Sequence, residues 1–335
     1  MVPDWLQYAR GRKTGPGYGS GTGLIKKRID NMFGYRPDGR RVKQTDPIIK
    51  IVPFIMPQRC DAQVFLQQKL DYETLARYIA DQNKKGHKIT FMQIIIAAYV
   101  RGVSQYPEVN RFISNRQLFS RKELTSAFTM LRDTSDGSIE ETTAKIKYDP
   151  YDTIYDVAAR VQQAIDNNRA EESANFSLKL SRFALAVPFL PHVLIFLIKL
   201  LDRYGLLPLI MLDELPFFTG MFIANMASIG MHSVYHHIYN FGNTSLFFTL
   251  GMVERTVTIG DDGKVKRKRL LPIGITADER VCAGAMYANL FAVMLHHLNH
   301  PELLEVPPEN VRFDPGCEYH VAKPVPPQAA PAADA

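Results

Sequence analysis

The stretch TADERVCAGAMYANLF, residues 276–291, brings Asp278, Glu279, Arg280 and Cys282 together where a strand-like run gives way to a helical one. At such junctions side chains and free backbone N–H groups meet, which suits chemistry. Glu279 could take up a proton if burial raised its carboxyl toward neutrality. Beside Arg280 at a helix start it would equally serve as a cap or an ion-pair partner. Cys282 could accept an acyl group. It also falls on the inward phase of the helix, where a small apolar side chain fills core. The stretch holds no His and no Ser. Elsewhere His232, His236 and His237 cluster, and none of the nine histidines has an Asp four residues later.

The 335 residues suffice for one large domain or two small ones, and 46% apolar content is enough for a buried core. Cys60, Cys282 and Cys317 are far apart with no CxxC, so neither a disulfide framework nor a metal site is expected. MVPDWLQYARGRK has no apolar core of signal-peptide type, which predicts a cytoplasmic chain. Residues 1–47 hold ten Lys/Arg against four Asp/Glu, the whole of the net charge of +6, and the remainder carries 30 of each sign. The basic character thus belongs to an arm, read as residues 1–46. It is either a solvated or interface-bound extension or a contact for an anionic surface. No nucleic-acid motif accompanies it, and no nucleic-acid partner is expected. GPGYGSGTG (15–23) lacks the preceding strand and following acid of a dinucleotide loop and reads as a flexible segment.

The elements that must position the 276–291 stretch follow from periodicity. IIKIVPFI and AQVFLQQKL read as strands, and Asp71 caps the helix YETLARYIADQNKK, which Gly86 ends. ITFMQIIIAAYVRGVSQYP is a more buried helix, RQLFS and ELTSAFTML are strands, and Asp152 or Thr153 starts YDVAARVQQAIDN. Residues 183–223 are strongly apolar but broken by Pro188, Pro191 and His192. The unbroken run falls short of the ~20 residues of a span. They predict a buried helical hairpin or a lid on a partner subunit, with membrane-surface contact as the alternative. MFIANMASIGM, TSLFFTLGMVERTVTI and KRKRLLPIGIT return to strands, with a turn at Asp262-Gly263 and an inward face at Leu271, Ile273 and Ile275. VCAGAMYANLFAVMLHHLNHPELL is a helix, and residues 321–335 are a Pro/Ala-rich disordered tail. Mixed elements without regular βαβ alternation predict an α/β sandwich on a mixed sheet.

The order of these pieces over residues 47–308 resembles the catalytic domain of 2-oxoacid dehydrogenase acyltransferases and, more distantly, chloramphenicol acetyltransferase. The matching pieces are Pro107-Glu108-Val109-Asn110 after the second helix, NMASIGMHSV, the paired late strands SLFFTLGMVERTVTIGDDGKVKRKRLLPIGIT, and HPELL. The resemblance implies a chloramphenicol acetyltransferase-like two-layer sandwich over residues 47–320, assembled as a homotrimer with sites between subunits. The family signature Asp-His-Arg-x-x-Asp-Gly falls on Asp278–Gly284. Asp278, Arg280 and Gly284 match, but Glu279 stands where the family has its catalytic His and Ala283 where it has its Asp. In the region of NMASIGMHSV the family uses a hydroxyl on the oxyanion, and Ser233 or Ser228 could match.

Two functions follow. A general base contributes about 10²–10⁴-fold, so a chain without one is expected to be a weak or non-catalytic pseudoenzyme. It would bind acyl-CoA or a partner, with a catalytically intact paralogue as one variant. Alternatively Glu279, or a His among His232, His236 and His237, is a rewired base in an active acyl-CoA-dependent transferase. No covalent cofactor and no metal is expected, and residues 1–46 are too short for a lipoyl-bearing domain.

Overall fold

Local polar caps start the helices. The Asp71 carboxylate accepts from the Glu73 N–H at the head of α2 (Tyr72–Lys84). Thr90 and Gln93 form a reciprocal box on α3 (Phe91–Gln105). Of the two candidates for the next helix it is Thr153 that caps, exchanging bonds with Asp156 at the start of α4 (Ile154–Ala170). Asp152 is bound by Arg160. The computed structural model describes residues 35–43, 45–133, 139–170, 185, 186, 188–259, 263 and 265–314. From Arg36 onward these belong to one compact unit. The Gly-rich segment 15–23, Asp262, Cys317 and the 321–335 tail lie outside the described residues.

One expected strand is a helix. IIKIVPFI forms α1 (Pro47–Ile55), with Pro47 in the first turn and the Asp46 carboxylate accepting from the Ile48 N–H. Pro47 lacks a donor that a helix start leaves unpaired anyway, and its ring presets the backbone angle. The folded body also reaches into the segment read as an arm. Gly39–Arg41 (β1) pairs antiparallel with β4 (Gln117–Arg121), which pairs with β3 (Arg111–Ser114).

The main sheet has seven strands in the order β9 (Glu254–Ile259), β10 (Val265–Asp278), β8 (Leu246–Leu250), β7 (Met221–Asn225), β5 (Leu124–Asp133), β6 (Ile139–Tyr148). A further strand, β2 (Gln63–Asp71), pairs with β10. β7 runs parallel to β5 and β8, and the other pairs are antiparallel, so the sheet is mixed as expected. Strand β6 escaped the sequence reading. MFIANMASIGM is a strand only to Asn225, because Met226–Ile229 turns as a 3-10 segment into Gly230 at φ +74.

The sheet's two faces are built differently. Leu271, Ile273, Ile275 and Ala277 join Leu246, Phe248 and Leu250 in the main core, under α3, α4 and α7 (Gly284–Asn299). Alternation on β10 therefore runs as expected. The last helix starts three residues later than its apolar pattern, because Val281 and Cys282 are buried in the turn before it. On the opposite face no helix among the described residues covers β8 and β10. Residues 231–240 lie there as an extended segment, with Ile238 packed beside Phe222 and Phe247. The Val234 N–H donates to Thr249 Oγ1, which in turn bonds Val234 O. The segment can lie this close only because Gly251 and Gly274 have no side chain. A Cβ on Gly274 would run into Val234 O, and one on Gly251 into the Ser233 backbone.

Within 183–223 the described part holds two helices and then runs into β7, and it is the helices that are not buried as expected. α5 (Leu190–Tyr204) and α6 (Leu209–Glu214) touch the body through Ile198, Leu207, Leu212 and Leu215, and much of their apolar surface is exposed. Forcing a side chain between the sheet and residues 231–240 overpacks a rigid contact. Gly274→Ala is expected to cost about 1–3 kcal/mol, read as a lower urea midpoint with the slope unchanged.

Candidate ligand-binding site beside position 279

β10 ends on a buried carboxylate. Asp278 is 1% exposed and sits on the helix-free face of the sheet. Arg280, two residues on, returns to it in a two-point contact, Nε to Oδ1 at 2.8 Å and Nη2 to Oδ2 at 2.7 Å. Arg59, from the loop between α1 and β2, brings Nε to 3.4 Å from Asp278 Oδ2. Both arginines are fastened further. Arg280 Nη1 donates to Met56 O and Pro57 O, and Arg59 Nη1 to Tyr239 O at 2.6 Å. The Arg59 N–H donates to Asn240 Oδ1. Burial lowers the Arg59 pKa despite the Asp278 charge.

Around these two guanidinium groups opens a cavity of about 580 Å³. Its wall includes Arg59 and Arg280, Arg116 at the β3–β4 turn, and Lys199, Asp202 and Arg203 of α5. Asp202 already receives a 2.5 Å bond from Arg36. Arg116 and Lys199 have no carboxylate partner among the described residues. The cavity is therefore cationic, with rigid arginines at its base and longer, exposed side chains at its rim. That arrangement can hold an anion, and the planar guanidinium fork suits phosphate or carboxylate oxygens.

The sequence candidates are placed as follows. Glu279 is exposed, its N–H held by Ala62 O, and it sits between two buried neighbours on the outward phase. Ala283 is exposed just before α7 and supplies no side-chain cap. Cys282 is buried, and burial pushes its thiol up to about 12, so it stays protonated and fills core. His232 is exposed, 3.9 Å from Glu254 at the start of β9, and Ser233 lies against Gly251. Both sit at the far end of the extended segment. Ile238, by contrast, bonds Gln63, which pairs with Asp278. Five strand residues at about 3.3 Å each separate Ser233 from position 279 by roughly 16 Å, so within one chain these groups do not meet. Ser228 Oγ is spent on Asn225 O.

His236 lies nearer. Its ring stacks on Phe247 at 4.1 Å and on His237 at 4.9 Å, and Nδ1 is 2.8 Å from His237 O. Burial lowers its pKa, which keeps it neutral at pH 7. With Nδ1–H donating to that carbonyl, Nε2 carries the free lone pair. The sequence reading missed Arg59 and the cavity altogether. Arg59 carries no motif, and only the crossing of the 57–59 loop with the end of β10 brings it to Asp278.

No protein-family model and no curated protein matches the chain. Among solved structures it is similar to a probable dihydrolipoamide acetyltransferase from Listeria monocytogenes, at 12% identity over 87% of this chain and 95% of that one, TM-score 0.48. It is also similar to a truncated catalytic core of the 2-oxoacid dehydrogenase multienzyme complex from Thermoplasma acidophilum, at 13% identity over 78% and 99%, TM-score 0.48. Chloramphenicol acetyltransferase follows at 10% identity over 78% and 99%, TM-score 0.45. These are likenesses of fold, and the site rests on the chain's own residues.

Two outcomes are expected from this geometry. In the native protein iodoacetamide labels exposed Cys60 and spares Cys282, read by peptide mass spectrometry. Arg280→Ala leaves Asp278 a buried carboxylate without its two-point partner and destabilises by about 3–5 kcal/mol, read by urea unfolding.

Proposed function

We propose that this chain is an acyltransferase-fold protein that binds an acyl-CoA in the cationic cavity and does not run histidine-based transfer. One observation carries the reading: five cationic side chains converge on a cavity next to the position where the resembling family keeps its His, and here Glu279 points outward. Coenzyme A presents phosphates for such a wall, with its thioester end free to reach toward the end of β10. Arg59 and Arg280 would fix the phosphates by position, while Arg116, Lys199 and Arg203 would draw them in. The Asp278 carboxylate orients both inner arginines and contacts no ligand. Homo-oligomer assembly, a trimer by resemblance, would bring a second copy's residues to position 279, and a catalytically intact paralogue in a mixed assembly is the other partner considered.

A second reading is supported by His236, whose Nε2 is left free when Nδ1–H donates to His237 O and could take up a proton. In that case acyl transfer would survive Glu279→Gln and fail in His236→Gln.

The experiment is titration calorimetry with acetyl-CoA, beside an assay of CoA thiol release with thiol, hydroxyl and amine acceptors. Saturable binding is expected, weakened about tenfold or more in Lys199→Glu and in Arg116→Glu, with release no faster than in buffer. Turnover lost in Glu279→Gln or His236→Gln would replace the binding reading with the rewired enzyme. No binding of any acyl-CoA would end both.

A further inference from the structure

Helices α1 and α5 each present an apolar stripe that no described residue covers. On α1, Ile48, Ile51 and Ile55 follow helical spacing and are 70%, 58% and 70% exposed, with Phe54 beside them at 61%. On α5 the outward positions are Val193, Phe196, Leu197, Leu200 and Tyr204, and Phe196 and Tyr204 are each 63% exposed. Beyond Gly205 the apolar surface continues through Leu206, Leu209 and Ile210. α5 docks on the body by its other side, where Ile198 is buried with Leu194 and Leu201 packed beside its cluster.

The two helices adjoin at one turn. The Arg116 guanidinium lies 5.8 Å over the Phe54 ring of α1, and Arg203 of α5 donates to Asn115 Oδ1 at 3.1 Å. The 115–116 turn thus bridges the two helices. The charges on this face share a sign. Lys50, Arg116, Lys199 and Arg203 are exposed on it. Lys50, Arg116 and Lys199 have no carboxylate partner among the described residues. The acids nearby are engaged or peripheral. Asp202 is bound to Arg36, Asp46 caps its own helix, Asp213 pairs with Lys147, and Glu214 stands at the end of α6.

Exposed Ile, Leu and Phe side chains ringed by unpaired cations match one environment, the headgroup region of an anionic bilayer. The apolar stripe can enter the acyl boundary while the amines meet phosphates and carboxylates. A second copy meeting this face with the same patch would oppose cation to cation. No helix among the described residues is long and apolar enough to cross a membrane, so the contact is lateral. From the juxtaposition of the α1 and α5 stripes with this cationic collar we infer that the face docks the chain on an anionic phospholipid bilayer, both helices lying along its surface. Arg116, Lys199 and Arg203 also line the cavity, whereas Lys50, Ile48, Ile51 and Phe196 line no part of that wall and so report on the outer face alone.

The test is flotation of the full chain with phosphatidylcholine vesicles, with and without phosphatidylserine. The protein is expected to rise with the phosphatidylserine vesicles and, at least tenfold less, with pure phosphatidylcholine. Lys50→Ala should lower the bound fraction about fivefold, and Phe196→Ser about tenfold. Both side chains are exposed, so circular dichroism should be unchanged. A chain that stays at the bottom with both vesicle types overturns the inference. So does flotation indifferent to both substitutions and to phosphatidylserine. A fall in molar mass by light scattering in Phe196→Ser would also overturn it, since a second copy would then cover the face.

Discussion

A carboxylate with almost no exposure to water must be compensated by the protein, and Asp278 imposes that demand on everything around it. One guanidinium grips it with two hydrogen bonds and a second closes in from a different part of the chain. Those arginines have spare donors, which collect Met56 O, Pro57 O and Tyr239 O. In this way one buried charge ties together the end of β10, the exit of α1 and the end of the extended segment over the sheet. The value of such a buried pair lies less in net stability than in where it obliges the backbone to go.

The same constraint explains how the end of β10 keeps its outline whatever side chain stands at 279. Asp278, Arg280 and the loop at 56–59 are mutually held, and none of these contacts involves residue 279 or 283. A side chain at 279 points outward between two inward ones, so its identity can change while the frame stays. The inner arginines are shared between this structural task and the cavity wall. Their donors already face protein acceptors, which makes the exposed cations at the rim the adjustable part of the site.

α5 closes one side of the cavity and is itself covered on one side only. Arg36 grips it through Asp202, and Ile198 anchors it, but its outward stripe faces solvent. An amphipathic helix needs a partner for each face. The body supplies one face, and the cationic, apolar character of the other defines what can supply the second. The cavity and the exposed face share this helix, so anything that meets its outer stripe also stands close to the cavity rim.

Much of the architecture was legible in local chemistry. Asp71 announced a helix start, and Leu271, Ile273 and Ile275 announced which side of β10 is buried. Short-range patterns carry this information because caps and alternation involve neighbours only. Where local signals competed, reading failed. IIKIVPFI is apolar enough for a strand, yet Asp46-Pro47 fits a helix start and won. β6 carries its alternation as Ala144, Ile146 and Tyr148 between lysines, a pattern visible in hindsight. By itself, then, the sequence determined the element types at capped and alternating segments and the mixed α/β class. Only the tertiary structure decided that Arg59 meets Asp278, that five cations surround one cavity, that His232 and Ser233 lie far from position 279, and that the outer stripe of α5 is exposed. These are meetings of residues distant along the chain, and they depend on how loops cross the ends of strands, which no local pattern encodes.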